Sequence, residues 1–496
     1  MTATDRPTIP APVRADRAAG VVVGSAAGDA LGAGFEFSAP LDPSIVVEMD
    51  GGGPFDWAPG EWTDDTQMAL AVLTPLSEGD ADPLPAIEDG FRRWFASRPP
   101  DVGAQTTTVL RSAGSLADAA RALARSHPDR SGNGSLMRTG PVALAHPGDP
   151  EAVAELARRV SLLTHASDDC VDACVLWSVA IDHTLHHAPV RGAYEWTDGV
   201  LAGLDHLPAA RREVWADRIE AARHGRPEDF PQNGWVVHAL QAALSTLCCE
   251  IEAVEPWAGL DLQVSLVRAV QAGGDTDTVA AIAGALLGAR WGATALPLRW
   301  RRVLHGRRAY DEPALAVADL EQMARLAARG GRADAQGWPG AESLMGHYEA
   351  SWPGPPRSVE LHGVTFGNVA ALDGALAAGA DTVISLCRMG TDDVPPDVDH
   401  HVLGLLDSTP DENPNAVLLL TDATTYLLDL VAARRRPFVH CVQAENRTPA
   451  CAITWLLQNG AAPDDAVRQV AEVLGTPQPW LVDAATALRT RTRPSS

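Results

Sequence analysis

Apolar residues recur at spacings of three and four through the first two thirds of the chain, as in Ala152 to Leu163 and Val236 to Leu247, and that period marks amphipathic helices. Sustained alternation is scarce between about residues 18 and 335, so the pattern predicts an all-α first domain. The breaks are rich in glycine and proline, notably Gly51-Gly52-Gly53-Pro54 and Ser131-Gly132-Asn133-Gly134, the kind of loop on which sites are built. Residues 1–17, rich in Pro, Thr and charge, read as a flexible tail. The character changes between Gly330 and Pro356, where Trp338-Pro339-Gly340 and Trp352-Pro353-Gly354-Pro355-Pro356 mark 336–356 as a linker. Beyond it the pattern becomes strand, helix, strand. Strands are expected at Ser358 to Val364, Thr382 to Leu386, Val402 to Leu406 and Pro437 to His440, with helices at Val369 to Ala378 and Ala416 to Arg434. Such alternation predicts a small α/β domain with a mainly parallel sheet over 357–496.

A length of 496 residues exceeds what one hydrophobic core organises, in keeping with a multidomain chain. The formal charge of −25 argues against nucleic acid or anionic membrane as partner, since both need a basic surface. All 39 basic residues are arginine, which with abundant Ala, Gly and Pro points to a GC-rich bacterial genome. The seven scattered cysteines and the lack of a leader-like N-terminal pattern suit a reduced, cytoplasmic protein. No run approaches the roughly 20 uninterrupted apolar residues of a membrane span.

Two acidic clusters change the picture. Thr63-Asp64-Asp65-Thr66 and Asp275-Thr276-Asp277-Thr278 each open an apolar helical run. Thr and Asp are good N-caps, and carboxylates gain roughly 0.3–1 kcal/mol near a helix N-terminus. One cap needs one side chain, however, and each cluster supplies two carboxylates and two threonines. Carboxylates about 4 Å apart repel by roughly 4 kcal/mol at an effective dielectric near 20, a cost that a cation removes. Hard oxygen donors favour Mg²⁺ or Mn²⁺ over zinc. After the second cluster, Ala280, Gly284 and Gly288 share one helical face, which allows another backbone to approach closely. His165, Cys170 and Cys174 lack a fourth zinc ligand and read as core groups, and His183, His186 and His187 read as residues of a helix C-terminus.

In chain order, Val23-Gly24-Ser25-Ala26-Ala27-Gly28-Asp29-Ala30-Leu31-Gly32 with Glu36, then Trp62-Thr63-Asp64-Asp65-Thr66, Gly132-Asn133-Gly134-Ser135-Leu136-Met137-Arg138, Thr164-His165 and Gly273-Gly274-Asp275-Thr276-Asp277-Thr278 resemble the ADP-ribosylglycohydrolase family. The resemblance implies an all-helical fold and two Mg²⁺ ions, or Mn²⁺, held by Thr63, Asp64, Asp65, Asp275, Asp277 and Thr278. It implies an ADP-ribosylated protein or ADP-ribose derivative as substrate. Glu36 matches a glutamate acting in catalysis or gating, and Asp29 orders the glycine-rich loop. Asn133, Gly134 and Ser135 match a diphosphate-contacting turn, a nest of backbone N–H groups, and His165 matches a position near the nucleotide.

In the second domain, His440-Cys441 and Arg447-Thr448 form a C-x5-R-T pattern between a strand and a helix, where loop N–H groups and an arginine fork can hold a phosphate. Such surroundings lower a thiol pKa. With Leu386-Cys387-Arg388 and Asp407, the domain resembles the dual-specificity and tyrosine-type cysteine phosphatases. That implies a phosphorylated substrate, with Cys441 as nucleophile, Arg447 as phosphoryl clamp, Asp407 as acid with Asp411 competing, and Thr448 assisting the thiolate. Two departures stand out: Ala444 occupies the usual glycine position, and Glu445 adds negative charge. The alternative for either domain is a reader that binds ADP-ribose or phosphate without turnover.

Overall fold

The computed structural model describes residues 9–187, 196–249 and 259–487. It divides into two compact units, the first extending to Arg332 and the second starting at Ala333, with Pro297–Arg299 grouped in the second.

The first unit is helical apart from the short pairing of β1 (His305–Gly306) with β2 (Leu315–Ala316). Four of its helices position the acidic clusters and the loops around them: α1 (Ala11–Gly32), α2 (Asp64–Ser77), α3 (Asp168–His186) and α4 (Thr276–Trp291). The runs expected to be helical form Pro150–Leu162 and Val236–Cys248. The flexible tail expected over 1–17 is corrected for its second half. Ile9 and Val13 are buried, Pro12 sits in the first turn of α1, where a missing N–H costs nothing, and Arg17 donates to the Thr184 carbonyl at 3.0 Å. Composition pointed to a tail, and tertiary burial decided otherwise.

α1 and α4 pack backbone against backbone along a seam of small residues. A Cβ on Gly24 would lie 3.2 Å from the Gly284 carbonyl carbon, and one on Gly28 2.8 Å from Ala281 N. The small face expected on α4 is therefore matched by Gly20, Gly24, Gly28 and Gly32 on α1. Ala11–Phe35 is long and apolar enough to cross a membrane by length and composition, but 89% of the relevant window is buried inside the fold, the pattern of a core helix.

The second unit carries a five-stranded sheet in the order β3-β4-β7-β5-β6. The strands are β3 (Ser358–Leu361), β4 (Val364–Asn368), β5 (Thr382–Ser385), β6 (Asp399–Val402) and β7 (Pro437–Cys441), all pairs parallel except β3–β4. The single strand expected over Ser358 to Val364 is a hairpin instead. His362 and Gly363 both have positive φ, 48° and 82°, the turn that matches strand twist. β6 precedes the apolar stretch Val402 to Leu406 that was expected to form it. Helices α5 (Met345–Ser351), α6 (Ala416–Ala432) and α7 (Arg447–Gln458) belong to the same unit. So does the expected linker 336–356: Leu344 and Tyr348 are buried, and the Tyr348 hydroxyl donates to the Arg388 carbonyl at 2.6 Å.

Candidate active site

The glycine seam puts Asp29, near the end of α1, beside the starts of α2 and α4. Asp29 is fully buried and accepts from Thr63 N at 2.9 and 3.1 Å, Thr66 N at 3.0 Å and Thr66 Oγ1 at 2.6 Å. These are the free N–H groups of the first turn of α2, so another helix supplies its cap. Thr63, Asp64 and Asp65 are thereby released from capping. Thr63 Oγ1 and Asp65 Oδ2 are buried with no hydrogen-bond partner.

The second cluster meets the first. Thr278 Oγ1 donates to Asp65 Oδ1 at 3.3 Å, and Thr276 Oγ1 donates to the Gly32 carbonyl at 2.8 Å, tying α4 to the end of α1. Burial, with the surrounding carboxylates, holds Asp64, Asp65 and Asp277 well above the usual carboxylate range. Asp275 is raised by burial and Asp29 is pushed to about 6 by burial. Glu36 is lifted to about 8 by burial and by Asp101, Asp275 and Asp29. Oxygens of Glu36, Asp101 and Asp277 lie within 4.8 Å of one another, and Glu36 Oε2 and Asp277 Oδ1 are also buried without partners. A hard divalent cation fits this donor set, because all its atoms are oxygens and four of them have no other partner.

Asp101 is absent from the residues that the sequence pattern singles out. It stands beside Glu36 and Asp277 and is raised to about 6, chiefly by burial and then by Asp275. It follows Pro99-Pro100 and opens no helix, so no local pattern distinguishes it. Asn233 was missed likewise: its side chain accepts from Asp275 N at 2.9 Å and donates to the Gly273 carbonyl at 2.9 Å, shaping the approach to α4.

The Asn133 turn reaches the acids directly. Asn133 Nδ2 donates to Asp275 Oδ2 at 2.7 Å and to the Asn233 carbonyl at 2.9 Å. A Cβ on Gly134 would lie 3.0 Å from His165 Cε1, so the imidazole packs under the turn. His165 is buried, bonded through Nδ1 to Thr164 Oγ1 at 2.7 Å, and pushed down to about 3 by burial and by Arg138. Ser135 Oγ accepts from Ser161 Oγ at 3.1 Å and from Cys174 Sγ at 3.4 Å, while Cys170 Sγ donates to the Gly132 carbonyl at 3.2 Å. The two cysteines, both on α3, brace the turn.

A model of the ADP-ribosylglycohydrolase family matches residues 10–335. The chain belongs to that family. It is similar to ADP-ribosylarginine hydrolase Tri1 of Pseudomonas putida, 32% identical over 297 residues, 58% of this chain and 73% of that one. It is 30% identical over 292 residues to the ADP-ribosyl-[dinitrogen reductase] glycohydrolase of Rhodospirillum rubrum, 58% and 89% of the two chains. Human ADP-ribosylhydrolase ARH3 is 25% identical over 340 residues, 61% and 92%. The ADP-ribosylglycohydrolase match covers every acid of the site and ends at the start of the second unit.

In the second unit, Cys441 ends β7 and Arg447 opens α7, with both side chains buried. Ala444 lies between them at φ 56°, a left-handed conformation that glycine adopts without strain. Arg447 NH1 donates to the carbonyls of Leu386 at 3.0 Å and Leu405 at 3.3 Å, and Nε stands 3.7 Å from Asp407. Asp407 also accepts from Asn446 Nδ2 at 2.9 Å, whereas Thr448 Oγ1 donates to the Gly367 carbonyl at 3.2 Å. Behind Cys441, Ser385 Oγ joins the Nε2 atoms of His440 and His400 at 2.8 and 2.9 Å. Asp411 lies on the short turn Pro410–Glu412.

Proposed function

We propose that the first unit is a divalent-metal-dependent hydrolase that removes ADP-ribose from modified arginine, on a protein or as a small molecule. The observation that carries this is the convergence of Asp29, Glu36, Asp64, Asp65, Asp101, Asp275 and Asp277 from separate segments, with buried oxygens left unpartnered. Thr63, Asp64, Asp65, Asp275, Asp277 and Thr278 would hold Mg²⁺ or Mn²⁺, which when bound orients the ribose diol and polarises the reacting oxygens. Gly134 and Ser135 offer their backbone N–H groups to the diphosphate, those of Gly132 and Asn133 being bonded to Gln105 Oε1 and the Gly234 carbonyl. Glu36 takes a proton from the water as its oxygen bonds to the anomeric carbon, and passes that proton to the guanidine nitrogen that leaves as the C–N bond breaks. Asp101 lies beside Glu36 and orients that water. A relative whose name specifies ADP-ribosylarginine supports the choice of linkage, and one whose name specifies dinitrogen reductase supports a protein as carrier.

The test is turnover of ADP-ribosyl-arginine, ADP-ribosyl-serine and ADP-ribose-1″-phosphate with Mg²⁺ or Mn²⁺, then with chelator. Arginine-linked substrate should be hydrolysed only with metal. Tight binding of ADP-ribose without turnover of any of the three would make the unit a reader.

For the second unit we propose a cysteine-dependent phosphatase, on the support of a strand-loop-helix that brings Cys441, Arg447 and Asp407 together. Cys441 would attack phosphorus, Arg447 would hold the phosphoryl oxygens, and Asp407 would protonate the leaving oxygen. Arg447 NH1 is bonded to carbonyls, so the guanidinium must turn to meet a phosphate. Phosphate release from an aryl phosphate should vanish in Cys441→Ser while the glycohydrolase is unchanged. Phosphate binding by a wild-type protein that releases none would favour a phosphate reader.

A further inference from the structure

We infer that Phe37 is the specificity-determining residue by which this site recognises the polypeptide around the modified side chain, an inference that rests on the ADP-ribosyl reading of the first unit. Phe37 directly follows Glu36 and is 67% exposed, although it is a large aromatic group. Its φ of 62° is in the left-handed region, which a bulky side chain seldom adopts. Such strain persists only where the surroundings enforce it, and it collects at functional positions.

The surroundings here are specific. Phe37 N donates to the Gly274 carbonyl at 2.7 Å, Gly274 N donates to the Ser38 carbonyl at 2.8 Å, and Ser38 N donates to the Phe35 carbonyl at 3.0 Å. Gly274 immediately precedes Asp275. The same hydrogen bonds that seat Glu36 against the acids therefore turn the next side chain outward. Phe35, two residues earlier, does pack against the core. Packing alone therefore does not require an aromatic residue at position 37.

The rest of the strip has the same character. Three of the nine exposed large apolar side chains among the described residues, Phe37, Ile45 and Val46, fall within ten residues. Leu41 N donates to the Gln271 carbonyl at 2.9 Å, and Gln271 Nε2 reaches the carbonyls of Pro43 and Ile45 at 3.4 Å. The apolar strip thus runs beside the segment that leads into the second acidic cluster. ADP-ribose is polar and charged, and its ribose and diphosphate are served by oxygens and backbone N–H groups. An apolar rim suits what lies beyond the scissile bond, the aliphatic stem of the modified side chain and the flanking backbone.

The experiment compares wild type, Phe37→Ala and Phe37→Gly against two probes, an arginine-ADP-ribosylated peptide and free ADP-ribose, by calorimetry in chelator, where the peptide is bound without being hydrolysed. The glycine variant accepts the left-handed backbone without strain, which separates loss of the ring from misfolding. Both variants should bind the peptide about tenfold more weakly and ADP-ribose unchanged. In turnover, KM for the peptide should rise by about the same factor, with kcat within about twofold. Parallel losses for both probes would overturn the proposal and make Phe37 a support for Glu36, and unchanged peptide binding would also overturn it. Absence of turnover with the binding difference intact would remove the hydrolase reading alone.

Discussion

Gly24→Ala should loosen the acidic site from a distance. The new Cβ would stand 3.2 Å from the Gly284 carbonyl carbon and 3.3 Å from Gly288 Cα, with the Gly284 carbonyl oxygen nearer still. All three are backbone atoms of α4, so no rotamer change relieves the overlap and the helices must part. Overpacking of this kind costs about 1–3 kcal/mol, and backbone contact puts it at the upper end. Alanine returns roughly 1 kcal/mol of helix propensity. The net loss of about 2 kcal/mol should lower the melting temperature of the first unit, with its more than 300 residues, by roughly 3 °C. α1 carries Asp29, which caps α2, and α4 carries Asp277 and Thr278, so the oxygens should spread and divalent-cation affinity should fall about tenfold, a change of about 1.4 kcal/mol. Thermal melts with and without Mg²⁺ and Mn²⁺, together with metal titration calorimetry, read both effects. A Gly24→Ala protein that melts higher, as exposed helical Gly→Ala exchanges do, with unchanged metal affinity, would refute the coupling of seam to site.

Other substitutions test separate parts. Asp29→Ala leaves two buried main-chain N–H groups and the Thr66 hydroxyl without their acceptor and should cost about 3–5 kcal/mol, read from the urea midpoint, with Asp29→Asn losing less. Asp65→Asn should behave oppositely in two buffers. It should raise the melting temperature in chelator by removing repulsion from Asp29, Asp64 and Asp275, yet abolish the stabilisation of about 2.7 kcal/mol that saturating metal, near 100 Kd, gives wild type. His186, whose Nδ1 lies 3.1 Å from the Asp182 carboxylate, titrates above its usual value because of that bond. Its contribution should be complete below about pH 6.5 and decline as pH rises through the elevated folded value, so the stability difference between wild type and His186→Asn should shrink as pH rises above about 6.5.

Much of the first site was legible because its signals are local. Two carboxylates and two threonines at each of two helix starts exceed the needs of capping, and Asp29, as the actual cap of α2, explains what that excess is free to do. Asp101 and Asn233 were illegible for the converse reason. Both reach the acids from loops, and only tertiary packing brings them there. The small face on α4 could be read, but not that α1 would fill it, since a glycine ladder does not name its partner. In the second unit, the apolar run Val402 to Leu406 drew the strand assignment away from Asp399–Val402. That strand is chosen instead by polar contacts, His400 on Ser385 and Asp399 accepting from the Tyr426 hydroxyl at 2.9 Å. Proline and glycine in 336–356 resembled a linker, and the burial of Leu344 and Tyr348 decided against it.

The contacts that organise the acids are themselves mostly not acidic. The glycine seam aligns α1 with α4, Thr276 ties α4 to the Gly32 carbonyl, Asn233 shapes the Gly273–Asp275 approach, and Asn133 holds Asp275. None of these needs a cation. A site assembled this way is preorganised, so the free energy of binding the proposed cation would go into affinity rather than into folding, unlike small domains that fold only around their metal. The carboxylate repulsion is borne by the rest of the fold, whose helical core holds the two clusters together. The apolar rim at Phe37 obeys the same logic: hydrogen bonds to Gly274 fix Glu36 over the acids, and the strained backbone they impose turns an aromatic side chain toward whatever carries the ADP-ribose.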